Sequence, residues 1–204
     1  MGKRKQSLLF DTDEPAREPV PEGFTYEPEF ISPSEEKDLL SEIGKLEFKT
    51  FTWHGFIAKR RIVDYGWSYS FETMKLTPGD PIPEFLLPVR SRAAARVGIR
   101  DEQLSEALIT EYQSGAAIDW HRDVPQFEIV MGISLLSACM FRLRRKRGAT
   151  WERYSFVAEP RSLYILTGPA RDEWQHSIPA AETLRYSITF RSRRETVPSK
   201  RSVK

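Results

Sequence analysis

Apolar positions recur along the second half of the chain as alternating or continuous runs at residues 107–113, 127–136, 138–144, 151–157, 162–166 and 184–191. A period of two sends successive side chains to opposite faces of a strand. Short runs of this kind, separated by turns and without intervening helices, predict an antiparallel sandwich or barrel and exclude a doubly wound dinucleotide-binding sheet. No glycine-rich phosphate loop accompanies them. Two helices are expected earlier. Ser32-Pro33-Ser34-Glu35 reads as an N-cap, a proline at N1 and a capping-box acid, after which Leu39, Leu40, Ile43 and Leu46 share one face. Pro81, Pro83 and Gly98 bracket the second helix, with Phe85, Leu86, Val89, Ala93 and Val97 inward and Arg90, Arg92 and Arg96 outward. Phe24 and Tyr26 mark a first strand ahead of both.

The chain of 204 residues suits one domain with a full core. Residues 1–22, with Lys3, Arg4, Lys5 and several prolines, hold too little apolar surface to fold and read as a flexible tail. The domain is expected over 23–195, followed by a basic flexible tail at 196–204. A formal charge of +2 does not by itself announce a nucleic-acid binder, but Arg142, Arg144, Arg145, Lys146 and Arg147 cluster, as do Arg191, Arg193 and Arg194. The single cysteine, Cys139, cannot form an internal disulfide and fits a reducing, cytoplasmic home. No run has the length of a membrane span, no signal-peptide core follows the basic start, and a monomer is expected. Within the tail, Gln6-Ser7-Leu8-Leu9-Phe10 resembles, at Gln6, Leu9 and Phe10, the short peptide with which bacterial replication and repair proteins dock on the sliding clamp.

The candidate chemistry centres on Ile118-Asp119-Trp120-His121-Arg122-Asp123. In extended chain His121 and Asp123 point the same way and form half of a metal site. Of the other two histidines, His54 and His176, the latter is better placed as a third ligand. Two imidazoles and a carboxylate suit non-haem Fe(II) or zinc. In the run 184–191, alternation puts Arg185, Ser187, Thr189 and Arg191 on one face and Tyr186, Ile188 and Phe190 on the other. That reads as a half-buried strand whose two guanidiniums reach toward the ends of a small dicarboxylate.

Tyr112-x-x-Gly115, His121-x-Asp123, His176 and Arg185-x5-Arg191, in that order, resemble the AlkB-type Fe(II)/2-oxoglutarate-dependent dioxygenases over most of residues 23–194. Thr110 and Ser187 depart from the family pattern, where asparagine is frequent. The resemblance implies a mainly β fold with α, a double-stranded β-helix of jelly-roll type with the N-terminal helices packed outside. It also implies Fe(II) on His121, Asp123 and His176, with 2-oxoglutarate and O2 as cosubstrates. Tyr112, Arg185, Ser187 and Arg191 would serve the cosubstrate, Arg185 at its far carboxylate and Arg191 nearer the metal, supporting either Asp123 or the other carboxylate.

Residues 48–72 interleave Trp53, Phe56, Trp67, Tyr69 and Phe71 with Lys59, Arg60 and Arg61. Rings among cations suit unpaired bases and phosphates, and the family places its substrate lid here. Trp67, Tyr69 and Arg61, with Arg145 and Arg147 on the basic turn, are therefore the expected substrate contacts. The expected function is oxidative demethylation of alkylated nucleic acid, DNA or RNA. An oxygenase acting on a protein side chain or small molecule shares the chemistry, and a non-catalytic nucleic-acid-binding module would need only the basic face.

Overall fold

The computed structural model describes residues 19–53, 56–70 and 73–195; the sliding-clamp motif, His54 and the basic C-terminal tail lie outside the described residues. Within them, two antiparallel sheets face each other. The strands are β1 (Phe24–Glu27), β2 (Lys49–Trp53), β3 (Phe56–Ser70), β4 (Lys75–Pro78), β5 (Leu104–Tyr112), β6 (Ile118–His121), β7 (Phe127–Leu135), β8 (Cys139–Arg147), β9 (Thr150–Ala158), β10 (Leu163–Leu166), β11 (Gln175–Ile178) and β12 (Arg185–Arg193). The large sheet runs β1-β10-β7-β12-β5-β3-β2, with β4 added to β3, and the small sheet runs β6-β11-β8-β9. This is the expected mainly β, jelly-roll arrangement, and the six apolar runs fall on β5, β7, β8, β9, β10 and β12.

Alternation along the large sheet divides its side chains between two cores. Ile109, Met131, Ile133, Leu163, Ile188 and Phe190 point outward and are covered by α1 (Pro33–Ile43) and α2 (Leu87–Ala95) through Leu39, Ile43, Val89 and Ala93. The opposite face supplies Tyr112, Val130, Tyr164 and Leu166, which meet Phe141, Leu143 and Ile178 of the small sheet. α1 starts as its sequence dictates: the Ser32 hydroxyl accepts from the Glu35 amide at 3.2 Å while the Glu35 carboxylate accepts from the Ser32 amide at 2.8 Å. The arginines of α2 are tied to the body of the fold and are not simply solvated. Arg92 bonds Glu35 at 2.8 Å, and Arg96 forks onto Glu27 at 2.7 and 2.9 Å.

Two glycines shape the inter-sheet space. Gly132 lies opposite Tyr164, and a Cβ there would overlap the tyrosine ring, so the missing side chain is what lets that ring lie flat on β7. Gly66 adopts φ +77°, a left-handed conformation that L side chains resist. At that point β3 leaves the large sheet: its pairing with β5 ends at Gly66, and from Trp67 its partner is β4. The strand is thereby carried over the inter-sheet cavity.

Candidate active site

His121 ends β6 directly opposite His176 of β11, and the two ring centroids lie 4.2 Å apart. Asp123 follows two residues later, and one donor atom from each of the three residues falls within 4.8 Å of the others. The His121 Nδ1–H donates to the Asp119 carbonyl at 2.8 Å, leaving the Nε2 lone pair for a ligand. His176 stacks on Phe141 at 5.4 Å. Its burial and the neighbouring His121 push its pKa down to about 3 against the pull of Asp123, so the imidazole is neutral, as a metal ligand must be.

Burial alone would raise the Asp123 pKa, but the Arg191 guanidinium and then the two imidazoles hold it well below the usual carboxylate range. Arg191 donates from Nε and Nη2 to Asp123 Oδ1 at 3.1 and 2.8 Å, and from Nη1 to Glu106 Oε2 at 2.8 Å. Asp123 Oδ2 is fully shielded from solvent, has no hydrogen-bond donor, and sits 3.9 Å from His176 Nε2. An ionised buried oxygen is expensive unless paired. One placed among imidazole nitrogens has the chemistry of a metal donor set, for which iron and zinc are both suited.

The loop carrying Asp123 is held by Arg171 of α3 (Gly168–Asp172). Its Nη2 reaches the carbonyls of Asp123, Val124 and Phe127 at 3.2, 2.7 and 2.9 Å. The side chain is buried, so these bonds are sheltered from water.

A second orphaned group lies on the same face of β12. Arg185 is 1% exposed, stacks over Tyr112 at 4.4 Å and donates from Nη2 to Ser134 Oγ at 3.2 Å, while Nε and Nη1 have no partner. No carboxylate lies within ion-pair distance of it among the described residues. A buried guanidinium without a counter-charge is costly by several kcal/mol, which fits it to receive an anion. Tyr112 and Ser187 approach each other at 3.4 Å beside it. Tyr112 also lines a cavity of about 570 Å³ that contains Thr110, Tyr164 and the His121, Asp123 and His176 side chains. That size suits a small molecule. Arg185 does not line this cavity and is linked to it through Tyr112.

Several expectations are corrected. Strand β12 is buried on both faces, because the small sheet covers its polar side. For Arg191 the two expected alternatives are narrowed and not overturned: it lines the cavity and its guanidinium engages Asp123 and Glu106, which is the support of Asp123. Arg61 faces away from the cavity and forks onto Glu111 at 2.7 and 3.0 Å; its neighbour Arg60 lines the cavity instead. Tyr69 and Ser68 line the mouth as the crossing of β3 requires, whereas Trp67 lies under the Arg193 guanidinium at 3.9 Å and does not. The basic turn is strand through Arg147, so Arg145 and Arg147 point together toward acids. Arg145 bonds Glu152 and Glu173, and Arg147 pairs with Glu152 at 2.8 Å, so acids share the face expected to meet phosphates.

Glu106 and Arg171 escaped the sequence reading. Glu106 has a signal, an acid immediately before the apolar run of β5, but its pairing opposite Arg191 depends on register across 85 residues. The hydrogen bonds of Arg171 go to carbonyls, which leave no trace in side-chain pattern.

Comparison with known proteins gives these features a context. The model of the 2OG-Fe(II) oxygenase superfamily matches residues 23–191. The Arabidopsis thaliana "Alkylated DNA repair protein ALKBH8 homolog" is 28% identical over 176 residues, covering 74% of this chain and 49% of that protein. The Mus musculus "tRNA (carboxymethyluridine(34)-5-O)-methyltransferase ALKBH8" is 27% identical over 172 residues, covering 79% of this chain and 25% of that one. The chain thus spans half or less of the length of these two relatives. Among solved structures, OsALKBH1 superposes with a TM-score of 0.64 at 14% identity, over 83% of this chain and 96% of that one. A Pseudomonas putida prolyl-4-hydroxylase gives 0.58 at 14% identity, over 84% and 93%. Both show the fold. The chain belongs to the 2OG-Fe(II) oxygenase superfamily, a class of oxidoreductases whose cofactors are Fe(II), 2-oxoglutarate and O2, and the Arabidopsis and mouse relatives carry its AlkB-type likeness.

Proposed function

We propose that this oxygenase removes methyl groups from alkylated nucleic acid, with Fe(II) held by His121, Asp123 and His176. The observation that carries the metal assignment is the unpartnered Asp123 Oδ2 beside His176 Nε2. Iron and 2-oxoglutarate together supply the oxidation of a C–H bond by dioxygen, with succinate and CO2 as the products of the cosubstrate. The chain's own residues bind and orient. Arg185 pairs with the far carboxylate of 2-oxoglutarate, where its unpartnered nitrogens and the neighbouring Tyr112 and Ser187 hydroxyls supply donors. Arg191 and Arg171 fix Asp123 from its side chain and from its backbone. Phe141, Tyr164 and Ile178 keep the cavity wall apolar and water scarce.

Hydroxylation of an N-methyl group gives a carbinolamine that breaks down to formaldehyde and the free nitrogen. The nucleic-acid assignment is supported by Tyr69, Arg60, Trp120 and Arg122 around the cavity, rings and cations suited to a flipped base and its phosphates. The names of the Arabidopsis and mouse relatives agree with it. The test is aerobic turnover with Fe(II) and 2-oxoglutarate against methylated DNA and RNA oligonucleotides and methylated peptides, reading succinate and formaldehyde. Formaldehyde from an oligonucleotide, lost in Asp123→Ala, is the expected result. Formaldehyde from peptides alone would move the substrate to protein.

A further inference from the structure

We infer that the outer face of the small sheet is a second contact surface for single-stranded nucleic acid, gripping the strand that flanks the reacting base. This rests on the nucleic-acid reading and extends it away from the cavity. Alternation along β8 sends Arg142, Arg144 and Lys146 to the side opposite Phe141 and Leu143, and β9 adds Arg153 and Trp151 in register. Trp120, next to the ligand His121, joins them from β6.

Three observations point to a polyanion with flat rings. First, Arg144 lies directly opposite Arg153 across the strand pair. Like charges in that position destabilise a sheet. Neither they, Arg142 nor Lys146 has a carboxylate within ion-pair distance among the described residues. The inner face of the same strands solves the same problem with acid, since Arg145 opposite Glu152 bonds it at 2.8 Å. Second, the Arg144 guanidinium lies 4.2 Å from the Trp120 ring and 4.4 Å from the Trp151 ring. Trp151 remains 37% exposed, an aromatic surface of the kind on which unpaired bases stack. Third, Trp120 also lines the cavity. The surface therefore continues from the cavity mouth, so one strand reaches both. Charge complementarity selects nucleic acid over an apolar or basic partner.

The test uses the full chain and unmodified fluorescein-labelled single-stranded 12-mers of DNA and RNA, with anisotropy read across a salt titration. Lys146→Glu with Arg153→Glu should weaken binding at least tenfold and make the log–log salt slope shallower by roughly 0.7 for each phosphate no longer neutralised. Because Arg153→Glu turns a like-charge pair into an opposite one, the double variant should melt no lower than wild type, which separates lost binding from lost folding. Trp151→Ala should weaken binding about 5- to 150-fold, the loss of one stacked base, with little change in slope. Wild type and double variant binding with equal affinity and slope would overturn the surface and leave the nucleic-acid reading standing. A wild-type protein that consumes 2-oxoglutarate yet binds neither oligonucleotide at any salt would sink both.

Discussion

Replacing Arg171 by methionine keeps most of the side chain's length and removes its charge and donors, so it isolates the hold on the loop that carries Asp123. Nη2 approaches three carbonyls, those of Asp123, Val124 and Phe127. It has only two hydrogens, so two of the three are satisfied at a time. A hydrogen bond from a charged donor contributes about 1.5–3 kcal/mol, which gives roughly 3–5 kcal/mol for the site after allowing for shared geometry. For a domain of this size each kcal/mol moves the melting midpoint by about 2–4 °C. A fall of roughly 6–20 °C in the metal-free protein is therefore expected.

The consequence for function is separate. Asp123 remains as a ligand in Arg171→Met, but its backbone is released, and loss of an interaction that orients a ligand typically lowers metal affinity about 10- to 100-fold. Titration with Co(II) as a spectroscopic stand-in, well below the lowered midpoint, measures this apart from folding. Arg171→Lys should recover part of both effects, since an ammonium still donates to carbonyls without reproducing the planar fork. Unchanged metal affinity in Arg171→Met, with the melting midpoint lowered as calculated, would reduce Arg171 to a structural residue. An unchanged midpoint would refute the hydrogen-bond reasoning itself.

Two further outcomes follow from the same geometry. Arg185→Lys should weaken 2-oxoglutarate binding, measured calorimetrically on the Fe(II) or Mn(II) form, by roughly tenfold or more, the value of one charge-assisted bond; unchanged affinity would place the far carboxylate elsewhere. The metal-free protein should lose stability on acidification: His176 is pushed down to about 3 in the fold, while the unfolded residue titrates near 6.5, so between these values only the unfolded state takes up the proton. Urea unfolding of His176→Gln at pH 7 and pH 5 should show a shallower loss than wild type, by up to about 1.4 kcal/mol per pH unit, and equal slopes would show that His176 is not the group responsible.

The elements legible in the sequence were those whose signal is local. The capping box at Ser32 and Glu35 forms as written, and alternating or continuous apolar runs locate β5, β7, β8, β9, β10 and β12. Strands β2, β3, β4 and β11 are not delimited by the sequence: aromatics and cations mix without a single period through 48–72, and β4 and β11 hold one aliphatic residue each. The metal cluster was legible because two of its members are neighbours in sequence, with His176 nearly the only histidine left to join them. Sequence is a poor guide where the face of a strand decides the role. Arg60 and Arg61 are equivalent in composition, but the pairing of β3 with β5 sends one to the cavity and the other to Glu111. Arg144 and Arg145 differ in the same way, and reading the segment as a turn removed the alternation that separates them.

Strand β12 shows why its two arginines, alike in sequence and on one face, do different work. Six residues of strand set them roughly 20 Å apart, and their partners differ. Arg191 stands opposite Glu106, an acid whose pKa burial raises against the pull of that arginine. Glu106 takes one guanidinium nitrogen and Asp123 the other two, so the fork is fixed by carboxylates at both ends. It cannot turn toward a cosubstrate without leaving two buried acids unpaired, a loss of several kcal/mol. Arg185 stands opposite Tyr112, and its neighbours provide one hydroxyl bond and a ring face but no negative charge. The same side chain is thus a fixed support where the opposing strand carries an acid and an anion receptor where it carries a tyrosine. The identity of residues 106 and 112 on β5, more than that of 185 and 191 on β12, determines which end of the strand holds Asp123 and which keeps a guanidinium without a counter-charge, the end proposed for the cosubstrate.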